Sequence, residues 1–106
     1  MMLRVRTEYK KGVLFVRLVG RIDNEGYLER IKWIIEEFGI KFTVLNLTKL
    51  NDVSLKNINH IKKYINQLKK KKHSLLICDE KTIRNSLFNN RIPKIQKEEY
   101  AFSFIE

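Results

Sequence analysis

The sequence predicts an α/β fold: a mixed, mainly parallel β-sheet, opened by an N-terminal β-hairpin and continued by βαβ units, with helices packed on it. Three observations predict it. Two alternating runs near the start flank a Lys-Lys-Gly turn. Two stretches with 3.6-residue apolar spacing each lead into a short, nearly continuous apolar run. Turn and cap residues punctuate the junctions between them.

Residues 3–9 and 13–19 alternate as strands, with Lys10-Lys11-Gly12 as the turn between them. In the second strand Leu14, Val16 and Leu18 face one way, and Val13, Phe15, Arg17 and Val19 the other. Gly20-Arg21-Ile22-Asp23-Asn24 then enters a helix that Asp23 or Asn24 can cap. Leu28, Ile31, Ile35 and Phe38 form its apolar stripe, Glu29, Lys32, Glu36 and Glu37 its wet side, and Gly39 stands at the C′ position. Phe42–Leu47 is β-prone and nearly continuous in apolar residues, as a strand covered on both faces would be. Asn51-Asp52-Val53-Ser54 is turn and cap chemistry.

A second helix runs from Leu55 to about Lys71, with Leu55, Ile58, Ile61, Ile65 and Leu68 inward and Lys56, Lys63 and Lys70 outward. The basic run Lys69–Lys72 suits the negative end of its dipole. Ser74–Cys78 is another buried strand, and Asp79 can cap a third helix near Lys81–Asn89, where Ile83 and Leu87 share a face. Pro93 bars continuation of that helix, Lys94–Gln96 suits a short last strand, and Glu98–Ile105 is read as a short helix in preference to a strand.

A length of 106 residues accommodates one domain, residues 1–106, and 43% apolar residues supply its core. A single Cys makes no internal disulfide, which fits a reducing compartment. The N-terminus lacks an apolar core of signal-peptide length, and no run approaches the ~20 apolar residues of a membrane span, so a cytoplasmic protein without membrane insertion is expected. The formal charge of +10 invites a nucleic-acid reading. Composition offers a plainer account: Lys, Ile and Asn make up 37 of the 106 residues, the enrichment expected of A/T-rich coding, and Lys outnumbers Arg 15 to 7.

Catalytic chemistry finds no foothold in the residues. Cys78 ends an apolar strand and is expected to be a small buried hydrophobe. His60 and His73 are expected at the surface, with no metal-ligand spacing around them, so neither metal nor cofactor is anticipated. Four Gly residues in all exclude a Gly-rich nucleotide loop. Trp33 and Tyr64 fall beside their helices' apolar stripes, where partial burial at the core edge is expected.

Three segments carry a family resemblance. Val13-Leu14-Phe15-Val16-Arg17-Leu18-Val19-Gly20-Arg21-Ile22-Asp23, then Val44-Leu45-Asn46-Leu47-x-x-Leu50, then Ser74–Cys78 followed by Ile83, Leu87 and Phe88 occur in an order and spacing that resembles the STAS domains of anti-sigma factor antagonists. The likeness covers roughly residues 10–96. It implies a non-enzymatic module that docks a protein partner, in that family a GHKL-type serine kinase acting as anti-sigma factor. It also implies a phosphorylatable Ser or Thr at the start of the second helix, within Asp-Ser-(Ser/Thr)-Gly. Here Ser54 aligns with the Asp, Leu55 with the phosphoacceptor, Lys56 with the next hydroxyl and Asn57 with the Gly, so the usual switch is missing. Ser54 is the nearest candidate acceptor, in a shifted register with Asp52, although a plain N-cap role is favoured for it.

The resemblance places partner-binding residues at Arg21, Asp23, Asn24, Asn51, Asp52, Leu55, Lys56, Asn57, Ile58 and Asn59, in a monomer or weak dimer. An accessory subunit of a membrane transport assembly is the alternative that the same resemblance allows. A basic nucleic-acid-binding domain is the third.

Overall fold

The computed structural model describes residues 3–22, 26–51, 54–70, 73–80 and 93–104, with side-chain placement omitted for 68–70. The helix expected near Lys81–Asn89, the side chains of Leu68, Lys69 and Lys70, and the remainder of the basic run at 71–72 fall outside that description. Five strands form one sheet in chain order: β1 (Arg4–Lys10), β2 (Val13–Arg21), β3 (Phe42–Asn51), β4 (Ser74–Cys78) and β5 (Lys94–Ile95). β1 runs antiparallel to β2, and every other pairing is parallel. Helix α1 (Gly26–Glu37) joins β2 to β3, α2 (Leu55–Lys70) joins β3 to β4, and a 3-10 helix spans Glu98–Phe104. This is the hairpin-plus-βαβ sheet that the sequence predicts.

Lys11 and Gly12 connect β1 to β2 with φ of 51° and 82°. Positive φ at both central residues matches the right-handed twist of the flanking strands, which is why two residues suffice. At the end of α1 Gly39 takes φ 61°, and the Ile40 N–H donates to the Ile35 carbonyl at 3.0 Å. That bond is the Schellman closure, and it turns Ile40 back into the core beside Ile35. The same turn corrects one expectation. Phe38 leaves the apolar stripe at the helix end and is 69% exposed, its inward place taken by Ile40.

The sheet is buried on both faces. On the helical face Leu14, Val16, Leu45, Leu47 and Ile77 pack with Ile31, Ile35, Ile58, Ile61 and Ile65. On the other, Val13, Phe15, Val44, Leu76 and Cys78 pack with Ile95 and Ala101. The alternation within β2 therefore sorts its side chains as the sequence indicates. β3 runs past Leu47 to Asn51, where turn residues were expected to begin. A register shift makes this extension possible: Arg17 pairs with Asn46, but Val19 pairs with Lys49. The extra residue in β3 is a bulge, and it returns Leu50 to the face already occupied by Leu47.

Burial treats three further side chains differently from their helical spacing or polarity. Leu55, expected inward, is 66% exposed because it begins α2 one turn before the helix meets the core at Ile58. Trp33 is exposed and packs edge-to-face on Phe38, with centroids 6.4 Å apart, whereas Tyr64 is buried. His73, expected at the surface, is buried. Its Nδ1 lies 2.9 Å from the Ile40 carbonyl and its Nε2 2.8 Å from Thr43 Oγ1. A neutral ring satisfies both contacts, donating from Nδ1 and accepting the Thr43 hydroxyl proton at Nε2.

Burial lowers the His73 pKa below its ordinary value, against a smaller opposing effect of the Ile40 carbonyl. The unfolded ring ionises near ~6.5, so the unfolded chain takes up more protons as the pH falls. Stability is full above that value and declines on acidification. Urea midpoints compared between about pH 7.5 and about pH 5.5 should fall, and His73→Gln should flatten the slope over that window. An unchanged slope in the variant would remove His73 from this role.

Candidate functional site

The candidate docking site lies at one end of the sheet. β2, β3 and β4 run parallel, so their C-terminal ends share an edge, and α2 begins there after β3. Arg21 and Asn51 are register partners at the ends of β2 and β3, and both are exposed. Open α/β sheets present their functional loops at this edge.

Ser54 stands immediately before α2. Its Oγ accepts the Asn57 N–H at 3.2 Å, and its carbonyl accepts the Ile58 N–H at 3.0 Å as the first helical bond. Ser54 is therefore the N-cap of α2. The first turn carries no acidic residue, so Lys56 adds its charge to the positive end of the helix. Ser54, Leu55, Lys56 and Asn59 are exposed, Asn57 and His60 half-buried. Ile58 is fully buried in the main core, so its part is to anchor the helix and it offers a partner no surface. Asp23, Asn24 and Asp52 lie outside the described residues.

Opposite the helices, the sheet carries a second constellation that sequence reading missed. Arg17 Nε and Nη2 donate to the two carboxylate oxygens of Glu98 at 2.8 and 2.7 Å, and Nη2 also reaches Glu8 at 2.9 Å. Asn46 Nδ2 donates to Glu98 Oε2 at 2.8 Å, while Asn46 Oδ1 accepts the Thr48 N–H at 2.9 Å inside the bulge. One amide thus secures both the bulge of β3 and the first residue of the 3-10 helix. Phe102 packs edge-to-face on Phe15 at 5.8 Å and carries the Lys11 ammonium at 5.4 Å. The Arg17 guanidinium holds the Glu98 carboxyl below the usual carboxylate range. A groove of about 450 Å³ runs beside this network, lined by Lys10, Arg17, Lys49, Glu98 and Phe102 among others. The available signal was Asn46, set between Leu45 and Leu47 in the β-prone run.

Nothing in these arrangements assembles a nucleophile. Burial pushes the Cys78 thiol up to about 12, which holds it protonated. His73 precedes β4 and so sits at the sheet end away from Ser54. Among the described residues no group of three His, Cys, Asp or Glu could hold a metal ion, and no helix is long and apolar enough to cross a membrane.

A mixed five-stranded sheet with α-helices packed on it matches the α/β fold of SpoIIAA-like structures. The solved structures most similar in shape include an anti-sigma factor antagonist from Mycobacterium paratuberculosis, at TM-score 0.78 and 14% identity, covering 97% of this chain and 93% of that one. The anti-sigma factor antagonist SpoIIAA in its unphosphorylated form matches at TM-score 0.72 and 13% identity, over 96% of this chain and 97% of that one. An uncharacterised protein with a SpoIIAA-like fold from Shewanella loihica matches at 0.57 and 13%, over 98% and 94%. No family model matches the chain. The fold is thus that of the anti-sigma factor antagonists, as the sequence resemblance implied.

Two outcomes follow from these contacts. Ser54→Ala should destabilise the fold by about 1 kcal/mol, and Ser54→Asp should retain most of that stability, because Asp caps as well as Ser; denaturant midpoints report both. Glu98→Ala should loosen the 3-10 helix and raise the rate of Cys78 alkylation by about tenfold, given the usual worth of a charge-assisted hydrogen bond. Equal alkylation rates would show that Glu98 does not hold the segment down.

Proposed function

We propose that this chain is a non-enzymatic regulatory module that docks a protein partner through the sheet end around Arg21, Asn51 and the start of α2. The partner class is an anti-sigma factor, of the serine-kinase type that antagonists of this fold family engage, and docking here is not switched off by phosphorylation. One observation carries the reading: Leu55, at the position where the family resemblance calls for a phosphoacceptor, is 66% exposed beside a Ser54 whose Oγ is occupied as a helix cap. An exposed leucine on a polar, basic helix start is an apolar contact for a partner and cannot accept phosphate. Arg21 and Lys56 favour an acidic surface opposite. Asp23, Asn24 and Asp52 extend this surface in the same reading, as neighbours of Arg21 and Ser54 in the chain. A cytoplasmic setting accompanies the role.

The test is incubation with a GHKL-type serine kinase of the source organism and ATP, followed by intact mass and gel filtration. The expected result is an unmodified chain that co-elutes with the kinase whether or not ATP is present. A phosphate on Ser54 would replace constitutive docking with a relocated switch. Leu55→Asp should lower affinity by about tenfold or more while leaving the melting temperature nearly unchanged, since the side chain is outside the core.

A further inference from the structure

Among the described residues, the outer edge of β1 presents an unpaired ladder with an unbalanced charge pattern. We propose that it is a second docking element, one that accepts an extended acidic segment of a partner protein as a sixth strand. The inference concerns a different part of the molecule from the sheet end described above and stands or falls separately from it.

Among the described residues β1 pairs with β2 alone, and all of its side chains are exposed except the half-buried Val5. The two-residue turn makes Lys10 and Val13 a hydrogen-bonded pair. Alternation then assigns Glu8–Phe15, Arg6–Arg17 and Arg4–Val19 to the same class. The N–H and C=O groups of Val5, Thr7 and Tyr9 therefore point away from β2. Seven residues is long for an uncovered edge, and an edge of this kind is a template for strand addition.

Side chains select what can add. Arg4, Arg6, Glu8 and Lys10 project from the sheet face opposite the helices, and Arg6 stands directly across from Arg17. Glu8 is already engaged by Arg17, whose other partner is Glu98. Arg4, Arg6 and Lys10 have no carboxylate partner among the described residues. A second copy of this chain is a poor occupant. An antiparallel two-fold centred on Thr7 opposes Arg6 to Glu8 twice but also Arg4 to Lys10 twice; one centred on Arg6 opposes Arg4 to Glu8 twice but also Arg6 to itself; one centred on Glu8 opposes Glu8 to itself and Arg6 to Lys10 twice. None of these registers gives Arg4, Arg6 and Lys10 a carboxylate each, and both copies carry a formal charge of +10. A strand with carboxylates at every second position meets Arg4, Arg6 and Lys10 together, and the one carboxylate that falls opposite Glu8 meets a side chain already held by Arg17. Its intervening side chains lie over Val5 and Tyr9. The edge also starts where the other site ends, because Arg4 is the register partner of Val19, two residues before Arg21.

Fluorescence anisotropy with short synthetic peptides tests this on the whole chain. The probes are an alternating Glu-Val peptide, a Glu-block/Val-block peptide of identical charge, and an alternating Lys-Val peptide. The alternating acidic peptide should bind about tenfold tighter than the block peptide, show no counterpart with the basic one, and slow amide exchange at Val5, Thr7 and Tyr9. R4E/R6E/K10E should reverse the preference toward the basic peptide. Equal affinity for the alternating and block peptides would reduce the effect to bulk charge and overturn the proposal. So would unchanged exchange at Val5, Thr7 and Tyr9 in the unmodified chain, a readout that does not depend on the variant folding. Concentration-dependent protection of those amides without peptide would assign the edge to a second copy instead.

Discussion

β2 and β3 must be covered from both sides, and most of the architecture answers that requirement. Their alternate side chains are apolar in both directions, so neither face can be left to water. Two helices cover one face with a continuous apolar layer. Among the described residues, the other is packed by Ala101 and Phe102 of a seven-residue 3-10 helix, too short to hold its place through propensity. Arg17, Asn46 and Glu98 supply the missing hold. Arg17 is the one charged residue within an otherwise apolar β2 up to Gly20, and its forked guanidinium meets both carboxylate oxygens.

The sheet end proposed for docking depends on that same layer. The bulge stabilised by Asn46 returns Leu50 to the core and carries β3 on to Asn51, and this extension delivers the chain to Ser54. Ile58 then fixes α2 from beneath while Leu55, Lys56 and Asn59 remain outside. Rigid support below and exposed chemistry above is the usual division between a scaffold and the positions that meet a partner.

Much of this was legible in the residues because it is local. Period-two alternation sorted β2, 3.6-residue spacing located both helices, Gly39 marked the end of α1, and Ser54 was recognisable as a cap. Errors fell where periodicity stops carrying information. Phe38 and Leu55 share the spacing of their stripes but sit at helix ends, beyond the reach of the sheet. His73 is polar by type and buried by position, because the Ile40 carbonyl and Thr43 hydroxyl happen to satisfy both nitrogens. The Arg17–Glu98 pair spans 81 residues, and no short-range pattern announces a contact between an ordinary strand arginine and an ordinary helix-start glutamate. The bulge was foreshadowed only by the uneven spacing of Leu45, Leu47 and Leu50, which alternation alone does not explain.

The wide separation of Arg17 and Glu98 also has a bearing on biosynthesis. Translation at ~5–20 residues per second places roughly 4–16 s between the emergence of one and the other. During that interval Phe15 and Val13 have no 3-10 helix to cover them, and the nascent sheet has one oily side. An incomplete chain therefore carries an uncovered apolar face, and the charged side chains along its first strand are of the kind that disfavours edge-to-edge pairing.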